Sequence, residues 1–392
     1  MDSSIFKNDS IFVTAMRDSG PGLQNRAAAL QADAEQLAQL CTVCFWASLE
    51  VEEGRQVRGT LSLCSPESVP LSRRFTKPVH VNVRNLVALL TASPRSPLAV
   101  HGGPQGLEVW GILDSEPEGL LRLRIAGNGI LLASRARRVL ALLHQGKASI
   151  PAAADEESLG QLVAHTLGKE DDLGRHGNAP SQLIRVITTM IMHGHGGSLV
   201  LVPPDDDSWR SGVRFRFCFD EPSTRVLHNS VQNFKSLVGE ATRSYEELLS
   251  GRSSCAALGA LREQYEAAHF LRTLSESLFR RVGELGRVDG AVVMDLGLRL
   301  HGFGAKLLYG PEEFHLATLN AVTGNLRTRV SLADLGGMRH QSAARFVNAN
   351  RGTDVFVVSQ DGRLSIFTWS ENLQTVAAVQ HLEHFIWEQQ PG

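Results

Sequence analysis

Two short motifs in the C-terminal half constrain the fold of this chain more than any other feature. Val288–Ala291 has the sequence V-D-G-A, and Gly336–Ala344 has the sequence G-G-M-R-H-Q-S-A-A. Between them, the segment V-V-M-D-L-G-L-R-L-H-G-F-G-A predicts a strand, a tight turn at Asp295–Gly297 and a second strand. After them, the segment T-D-V-F-V-V-S-Q-D-G-R-L-S-I-F predicts a further hairpin. The motifs therefore belong to a constellation built on strands.

The residue types in these motifs suit phosphate chemistry. Asp289 offers a carboxylate, and Gly290 beside it has no side chain to hold a phosphate or metal away from the backbone. Arg339 and His340 open a predicted helix, where free N–H groups and a guanidinium suit phosphate oxygens. Each signal alone also fits a turn or a helix cap. It is the order and spacing of the two motifs together that indicate a nucleoside triphosphate site.

The combination resembles the diadenylate cyclase domain. That family has D-G-A, then a helix start G-T-R-H-R-A-A, then a strand ending in V-S-E-E-x-G. The matching residues here are Asp289, Gly290, Ala291, Gly337, Arg339, His340, Ala343, Ala344, Val357, Val358, Ser359 and Gly362. The likeness covers residues 181–368, which lie in the C-terminal half.

Four positions depart from the family pattern. Val288 stands where the family often has histidine, and Met338 replaces the threonine of the helix motif. Gln341 replaces an arginine, and Gln360 replaces a glutamate, with Asp361 beside it. Each change weakens a contact with phosphate or metal. A linear product and a nucleotide other than adenine therefore stay as alternatives.

The resemblance implies a nucleotidyltransferase that condenses nucleoside triphosphates into a cyclic or linear dinucleotide, for signalling in bacterial stress or anti-phage defence. Asp289 would hold Mg²⁺ or Mn²⁺, and Asp289, Arg339 and His340 would be catalytic. The implied nucleotide-binding residues are Gly290, Ala291, Gly337, Met338, Gln341, Ser359 and Gln360. In the family each subunit holds one nucleotide and two active faces meet, which implies a homo-oligomer, at least a dimer.

Two other functions remain open. A nucleotide-binding sensor would keep the pocket and lose the chemistry, and an interaction protein would not use the pocket at all. The presence of Asp289 argues against a sensor, whereas the missing arginine and glutamate argue for it.

Composition excludes several classes of protein. The chain has 392 residues, 43% of them hydrophobic and 20% charged, with a formal net charge of -2. Such a charge gives no general attraction to nucleic acid or to anionic membrane. No apolar run approaches the roughly 20 residues that span a bilayer, and the N-terminus lacks the pattern of a signal peptide, so we expect a cytoplasmic protein. Five cysteines argue against a disulfide framework, and Cys41 and Cys44 are interpreted as core thiols rather than a redox or metal pair.

The expected fold class is α/β (α+β). Residues 1–150 form a smaller α/β domain, which resembles the sensor modules that precede some diadenylate cyclase domains. Residues 151–180 are Ala-, Gly- and acid-rich and are interpreted as a linker. Residues 181–392 are expected to form a mixed β-sheet flanked by helices, with a helical insertion at 228–285. Continuous apolar runs predict strands of this sheet at Leu199–Val202, Ala291–Met294 and Val355–Ser359.

Within this framework, several helices and small polar clusters are predicted. The predicted helices include 23–49, a basic one at Ser134–His144 with Arg135, Arg137 and Arg138, one from a Ser181 cap to Met192, and a final one reaching Ile386. Four clusters are interpreted as turns or surface groups rather than metal sites. They are Glu50/Glu52/Glu53, His193/His195, Asp205/Asp206/Asp207 and His381/Glu383/His384.

Overall fold

A computed structural model describes residues 6–7, 10–18, 33–69, 72–94, 96–103, 106–114, 119–135, 138–144, 146–151, 179–204, 206–249, 255–310 and 313–386. The chain divides into two compact units, Met1–Leu162 and Val163–Gly392. Each unit combines β-sheet with helices, which confirms the predicted α/β class. The predicted linker at 151–180 falls almost entirely outside the described residues, so its bounds stay a prediction.

The N-terminal unit is built on one large sheet. Its helices are α1 (Ile11–Asp18), α2 (Ala34–Leu49) and α3 (Val83–Ala92). Its strands are β1 (Val51–Glu52), β2 (Arg55–Gln56), β3 (Gly59–Leu63), β4 (Ser72–His80), β5 (Leu98–Gly103), β6 (Gly106–Leu113), β7 (Leu121–Gly127), β8 (Ile130–Arg135), β9 (Arg138–His144) and β10 (Lys147–Ser149). The sheet has the order β10-β9-β8-β7-β3-β5-β6-β4, and β1 and β2 form a separate hairpin.

Local sequence explains where the helices of this unit begin. Asp33 and Gln36 form a reciprocal capping box at the start of α2, and the Asn82 side chain caps α3 by accepting the N–H of Asn85. All three helices contribute to one core with the sheet, and Cys41 and Cys44 are fully buried in it. This burial confirms the interpretation of the two cysteines as core thiols.

The predicted helix at Ser134–His144 is wrong, because this segment belongs to β8 and β9. Leu131 pairs with Leu143 and Ala133 with Ala141, and all four side chains are in the core. Burial of the apolar side chains against one face of the sheet therefore outweighs the helical periodicity of this short segment. Arg135 lies at the end of β8, where burial lowers the pKa of its guanidinium. Arg137 lies outside the described residues.

The C-terminal unit contains a larger mixed sheet. Its helices are α4 (Ala179–Met192), α5 (Glu221–Thr224), α6 (Val226–Leu249), α7 (Cys255–Leu285) and α8 (Met338–Ala349). Its strands are β11 (Gly197–Val202), β12 (Val213–Arg214), β13 (Phe217–Cys218), β14 (Ala291–Asp295), β15 (Leu300–Leu307), β16 (His315–Leu319), β17 (Leu326–Ser331), β18 (Asp354–Val358), β19 (Leu364–Ser370) and β20 (Thr375–Gln380). The order is β12-β15-β14-β11-β18-β19-β20-β16-β17, with β13 also paired to β15.

The three strands predicted from continuous apolar runs form the centre of this sheet. β11, β14 and β18 are neighbours, and nearly all their residues are buried, as expected for strands covered on both faces. α8 packs on one face through Ala343, Phe346 and neighbouring apolar residues. α4 contacts β18 and α7, and Gly283 of α7 lets the two helices approach closely.

Other predicted elements of this unit have mixed outcomes. The segment predicted to be helical at 228–285 corresponds to α6 and α7. The final helix is wrong, because Thr375–Gln380 is the buried strand β20, followed by a short 3-10 helix at Leu382–Phe385. β20 pairs with both β19 and β16, so its apolar residues complete the sheet. The helix predicted to start at Ser181 begins earlier, because α4 already includes Ala179. Val213–Arg214 and Phe217–Cys218 form two short strands, each paired with β15.

Candidate active site

Sheet register brings the first motif, Val288–Ala291, and a third one, the V-S-E-E-x-G match at Val357–Gly362, to one edge of the sheet, where the ends of the central strands lie. β14 runs parallel to β11, with Ala291 opposite Ser198. β18 runs antiparallel to β11, with Val358 opposite Gly197. The starts of β11 and β14 and the end of β18 therefore lie together. Asp289 precedes β14 and Ser359 follows β18, so both residues belong to this edge of the sheet, two strands apart.

The second motif reaches the same edge through Arg339, in the first turn of α8. A β-carbon on Gly196 would lie 2.7 Å from Nη1 of Arg339. The same point is 2.9 Å from the carbonyl oxygen of Val358 and 3.1 Å from the amide nitrogen of Gln360. The guanidinium therefore lies against the end of β18, beside the first residues of the third motif.

His340, the residue after Arg339, is half-buried. Its Nε2 is 3.4 Å from the Ser365 hydroxyl, and its ring packs edge-on against Phe367, with 5.8 Å between centroids. Burial lowers the pKa of His340, the charge of Arg339 lowers it further, and the carboxylate of Asp361 opposes both effects. The imidazole is therefore mostly neutral near pH 7, and can offer one donor and one acceptor.

Asp289 is exposed at the start of β14. Within the described part of the chain, its carboxylate accepts no hydrogen bond and forms no ion pair. Mg²⁺ is usually held by one or two carboxylates together with substrate phosphates and water, rather than by a complete protein cage. One open carboxylate at the same sheet edge as the Arg339 guanidinium is compatible with that mode of binding.

Gly290 has a structural role that sequence reasoning missed. Its φ is +117°, and a β-carbon there would lie 2.6 Å from the carbonyl carbon of Gly304 and 2.8 Å from the nitrogen of Ala305. The backbone of β15 therefore occupies the space that a side chain would need. Ala291 packs its methyl group in the core, so its contact with a nucleotide would involve backbone atoms.

The start of α8 has free N–H groups. Gly337 is the N-cap and supplies no side-chain hydrogen bond, and Met338 beside it is 69% exposed. Gln341 turns back on the preceding loop, where its Nε2 donates to the carbonyl oxygen of Gly336 at 3.0 Å. The amide that replaces the family's arginine thus closes the loop before the helix.

The third motif folds into a tight turn that includes Asp361. The Ser359 hydroxyl donates to the Asp361 carboxylate and accepts the N–H of Arg363 at 3.0 Å, and Asp361 pairs with Arg363 at 2.9 Å. The bond from Ser359 lowers the pKa of Asp361. Sequence reasoning did not assign Asp361 to the site, although its carboxylate acts electrostatically on His340. The sequence feature that could have identified Asp361 as a site residue is its position next to Gln360.

Two of the polar clusters are turns, as interpreted from the sequence. The N–H of His195 donates to Nδ1 of His193 at 3.1 Å, which closes the loop before β11. Asp206 accepts bonds from Ser208, and Asp207 pairs with Arg210 at 2.6 Å; Asp205 lies outside the described residues. The acidic residues Glu50, Glu52 and Glu53 are exposed around the β1–β2 hairpin.

The His381/Glu383/His384 cluster does not lie on the surface of a helix. This differs from the sequence prediction, which placed these residues on a final helix. Oε1 of Glu383 is 3.4 Å from Nδ1 of His381 and 3.4 Å from Nε2 of His384, and His384 is buried. Oε2 of Glu383 accepts the N–H of Leu364 at 2.8 Å. The carboxylate therefore anchors the start of β19.

Comparison with known proteins identifies part of the N-terminal unit. Residues 26–114 match the model of a family described as probable sensor domain DACNV. No curated protein and no solved structure matches the chain. Among the described helices, none has the length and apolar character to span a bilayer. The N-terminal unit thus carries a region that is similar to a sensor domain, in agreement with the sensor module expected from the sequence.

Proposed function

We propose that the C-terminal unit is a nucleotidyltransferase of the diadenylate cyclase type, which condenses nucleoside triphosphates into a cyclic or linear dinucleotide. The observation that carries this proposal is the meeting of three motifs at one sheet edge, with Arg339 against Val358 and Gln360 and with Asp289 at the same edge. The matched sensor family is associated with diadenylate cyclase-like proteins, which supports the same assignment.

Each residue of the site has a chemical part in this reaction. Arg339 would donate hydrogen bonds to triphosphate oxygens, and His340 would add a donor as a neutral imidazole. Asp289 would hold Mg²⁺ or Mn²⁺, which offsets negative charge on the triphosphate when bound. Ser359 and Gln360 would line the nucleotide beside the guanidinium.

The reaction follows from this arrangement. The 3′-hydroxyl of one nucleotide attacks the α-phosphate of a second, a phosphodiester forms, and pyrophosphate leaves. The protein positions the phosphates and stabilises their developing charge. One subunit provides only one set of these residues. Formation of a cyclic dinucleotide would therefore need two subunits with their sites facing each other.

One observation favours a second candidate, a nucleotide-binding sensor without chemistry. Gln341 is committed to the carbonyl of Gly336, and Asp361 is paired with Ser359 and Arg363. Gln341, which stands where the resembled family has arginine, therefore does not reach freely toward a phosphate, and neither does the carboxylate of Asp361, which lies beside Gln360. A site of this kind would bind a nucleotide more loosely and leave it intact.

One experiment separates the two functions. The purified full chain is incubated with ATP, GTP, CTP and UTP, singly and mixed, with Mg²⁺ or Mn²⁺, and the products are resolved by mass spectrometry. The transferase should release pyrophosphate and form a dinucleotide, and Arg339→Ala should abolish both. Binding of a triphosphate without any product, in a protein with native stability, would favour the sensor instead.

A further inference from the structure

The loop between α4 and β11 lies at the same edge of the sheet. None of its residues has a role in the function proposed above. It has the sequence H-G-H-G-G at residues 193–197, with left-handed glycines at Gly194 (φ +68°) and Gly196 (φ +67°). A left-handed backbone at two nearly adjacent positions bends the chain sharply. The bend delivers Gly196 to the point beneath the Arg339 guanidinium.

The two histidines of this loop have different surroundings. His193 is partly buried against the end of α7, where burial first, and then the charge of Arg287, lower its pKa. Its Nδ1 accepts the N–H of His195, and the two rings lie 5.4 Å apart. His193 therefore anchors the loop to the segment that leads into Asp289, whereas the side chain of His195 is exposed.

We propose that His195 and Gly196 form a further wall of the site, in which His195 donates a hydrogen bond to the phosphates of a bound nucleoside triphosphate. This inference rests on the proposed function. Gly196 would hold the Arg339 guanidinium in place by leaving room for it against Val358.

Register and distance support this wall. Gly196 and Asp289 each lie two residues ahead of the Ser198–Ala291 pair, just before the neighbouring parallel strands β11 and β14, whose backbones are spaced about 4.8 Å apart. Since consecutive Cα atoms are about 3.8 Å apart, His195 starts next to the point that is 2.7 Å from Nη1 of Arg339. A triphosphate held between Asp289 and Arg339 would therefore meet the exposed imidazole of His195.

The loop contains its own matched control for the glycine. Gly194 and Gly196 have the same left-handed φ, but a β-carbon on Gly194 meets nothing within 4 Å, whereas one on Gly196 meets Arg339 and the Val358 carbonyl. Gly194→Ala and Gly196→Ala thus introduce similar backbone strain. Their difference in triphosphate binding reports the contacts that a side chain at Gly196 alone would make, with Arg339 and with the end of β18.

The test measures the dissociation constants of ATP, GTP, CTP and UTP with Mg²⁺ for the full chain and its variants. His195→Ala should weaken binding about 10-fold, the usual worth of a charge-assisted hydrogen bond. His195→Gln, which keeps an N–H donor, should recover part of this loss. Gly196→Ala should weaken binding about 10-fold more than Gly194→Ala, and thermal unfolding of each variant verifies its fold.

The outcomes separate this inference from the proposed function. If Arg339→Ala weakens triphosphate binding but His195→Ala leaves it unchanged, the role of His195 is overturned and the proposed function stands. If Gly196→Ala binds as well as Gly194→Ala, Gly196 does not hold Arg339. If the wild-type chain binds none of the four triphosphates, the proposed function fails and the wall fails with it.

Discussion

Arg339 and Gly196 are in direct contact at the candidate site: Nη1 of Arg339 lies 2.7 Å from the place that a β-carbon of Gly196 would occupy. One residue opens α8 and the other precedes β11, so the contact joins two segments that are far apart in the sequence. It also sets the guanidinium beside the end of β18. The site therefore depends on the packing of α8 against the central strands.

Asp289→Asn tests the proposed metal ligand. The substitution keeps the shape of the side chain but removes its charge, and loss of charge stabilisation worth several kcal/mol should lower turnover about 100-fold or more. Product formation with Mg²⁺ and Mn²⁺ is the measurement. Asp206→Asn, an exposed carboxylate after the far end of β11, is the control and should keep full turnover. Equal turnover in both variants would reject Asp289 as a ligand.

Gln341→Arg tests a position at which this chain differs from the diadenylate cyclase pattern that it resembles. The change removes the bond to the Gly336 carbonyl and adds a charged donor, which should tighten triphosphate binding by about 1 to 2 kcal/mol and favour a cyclic product. Titration with each triphosphate and mass spectrometry of the products are the measurements. Gln374→Arg is the control, because it adds the same charge in the turn between β19 and β20, at the opposite edge of the sheet. Weaker activity in Gln341→Arg would show that glutamine serves a different nucleotide or product.

Gly290→Ala tests whether this glycine serves the fold. Gly336 has the same φ of +117°, but no atom lies within 4 Å of its β-carbon position, whereas Gly290 faces the backbone of β15. Gly336→Ala should lower the free energy of unfolding by about 1 to 3 kcal/mol through backbone strain. Gly290→Ala should cost about 1 to 3 kcal/mol more through overpacking. Denaturant unfolding measures both, and equal losses would contradict the role assigned to β15.

His340 should make stability depend on pH. Its pKa is lowered by burial below the ordinary value of 6.5, so the unfolded chain takes up a proton before the folded chain does. The free energy of unfolding should therefore be unaffected by this group above pH 7 and should fall as pH drops below 6.5, until the folded-state pKa is passed. His340→Gln should reduce the loss of stability between pH 7.5 and 5.5. His315→Gln, at an exposed strand position, controls for removal of an imidazole. An unchanged slope in His340→Gln would contradict the prediction.

The sequence by itself determined the central strands, the helical insertion and the residues of the three motifs. Continuous apolar runs such as Leu199–Val202 have no polar face, so they fit the middle of a sheet that is covered on both sides. Long amphipathic segments such as α6 and α7 repeat their period over many turns, which makes them unambiguous. These signals are local, and they were enough for the fold class.

Only the tertiary structure decided the short apolar segments and the surroundings of the motifs. The segments of β9 and β20 fit either a helix or a strand by period, and pairing with β8 and β19 selected the strand because it buries their side chains in existing cores. Likewise, the crowding of Gly290 by β15 and the contact of Arg339 with Gly196 arise between residues distant in sequence. No local pattern records such contacts, since they exist only after the sheet has formed.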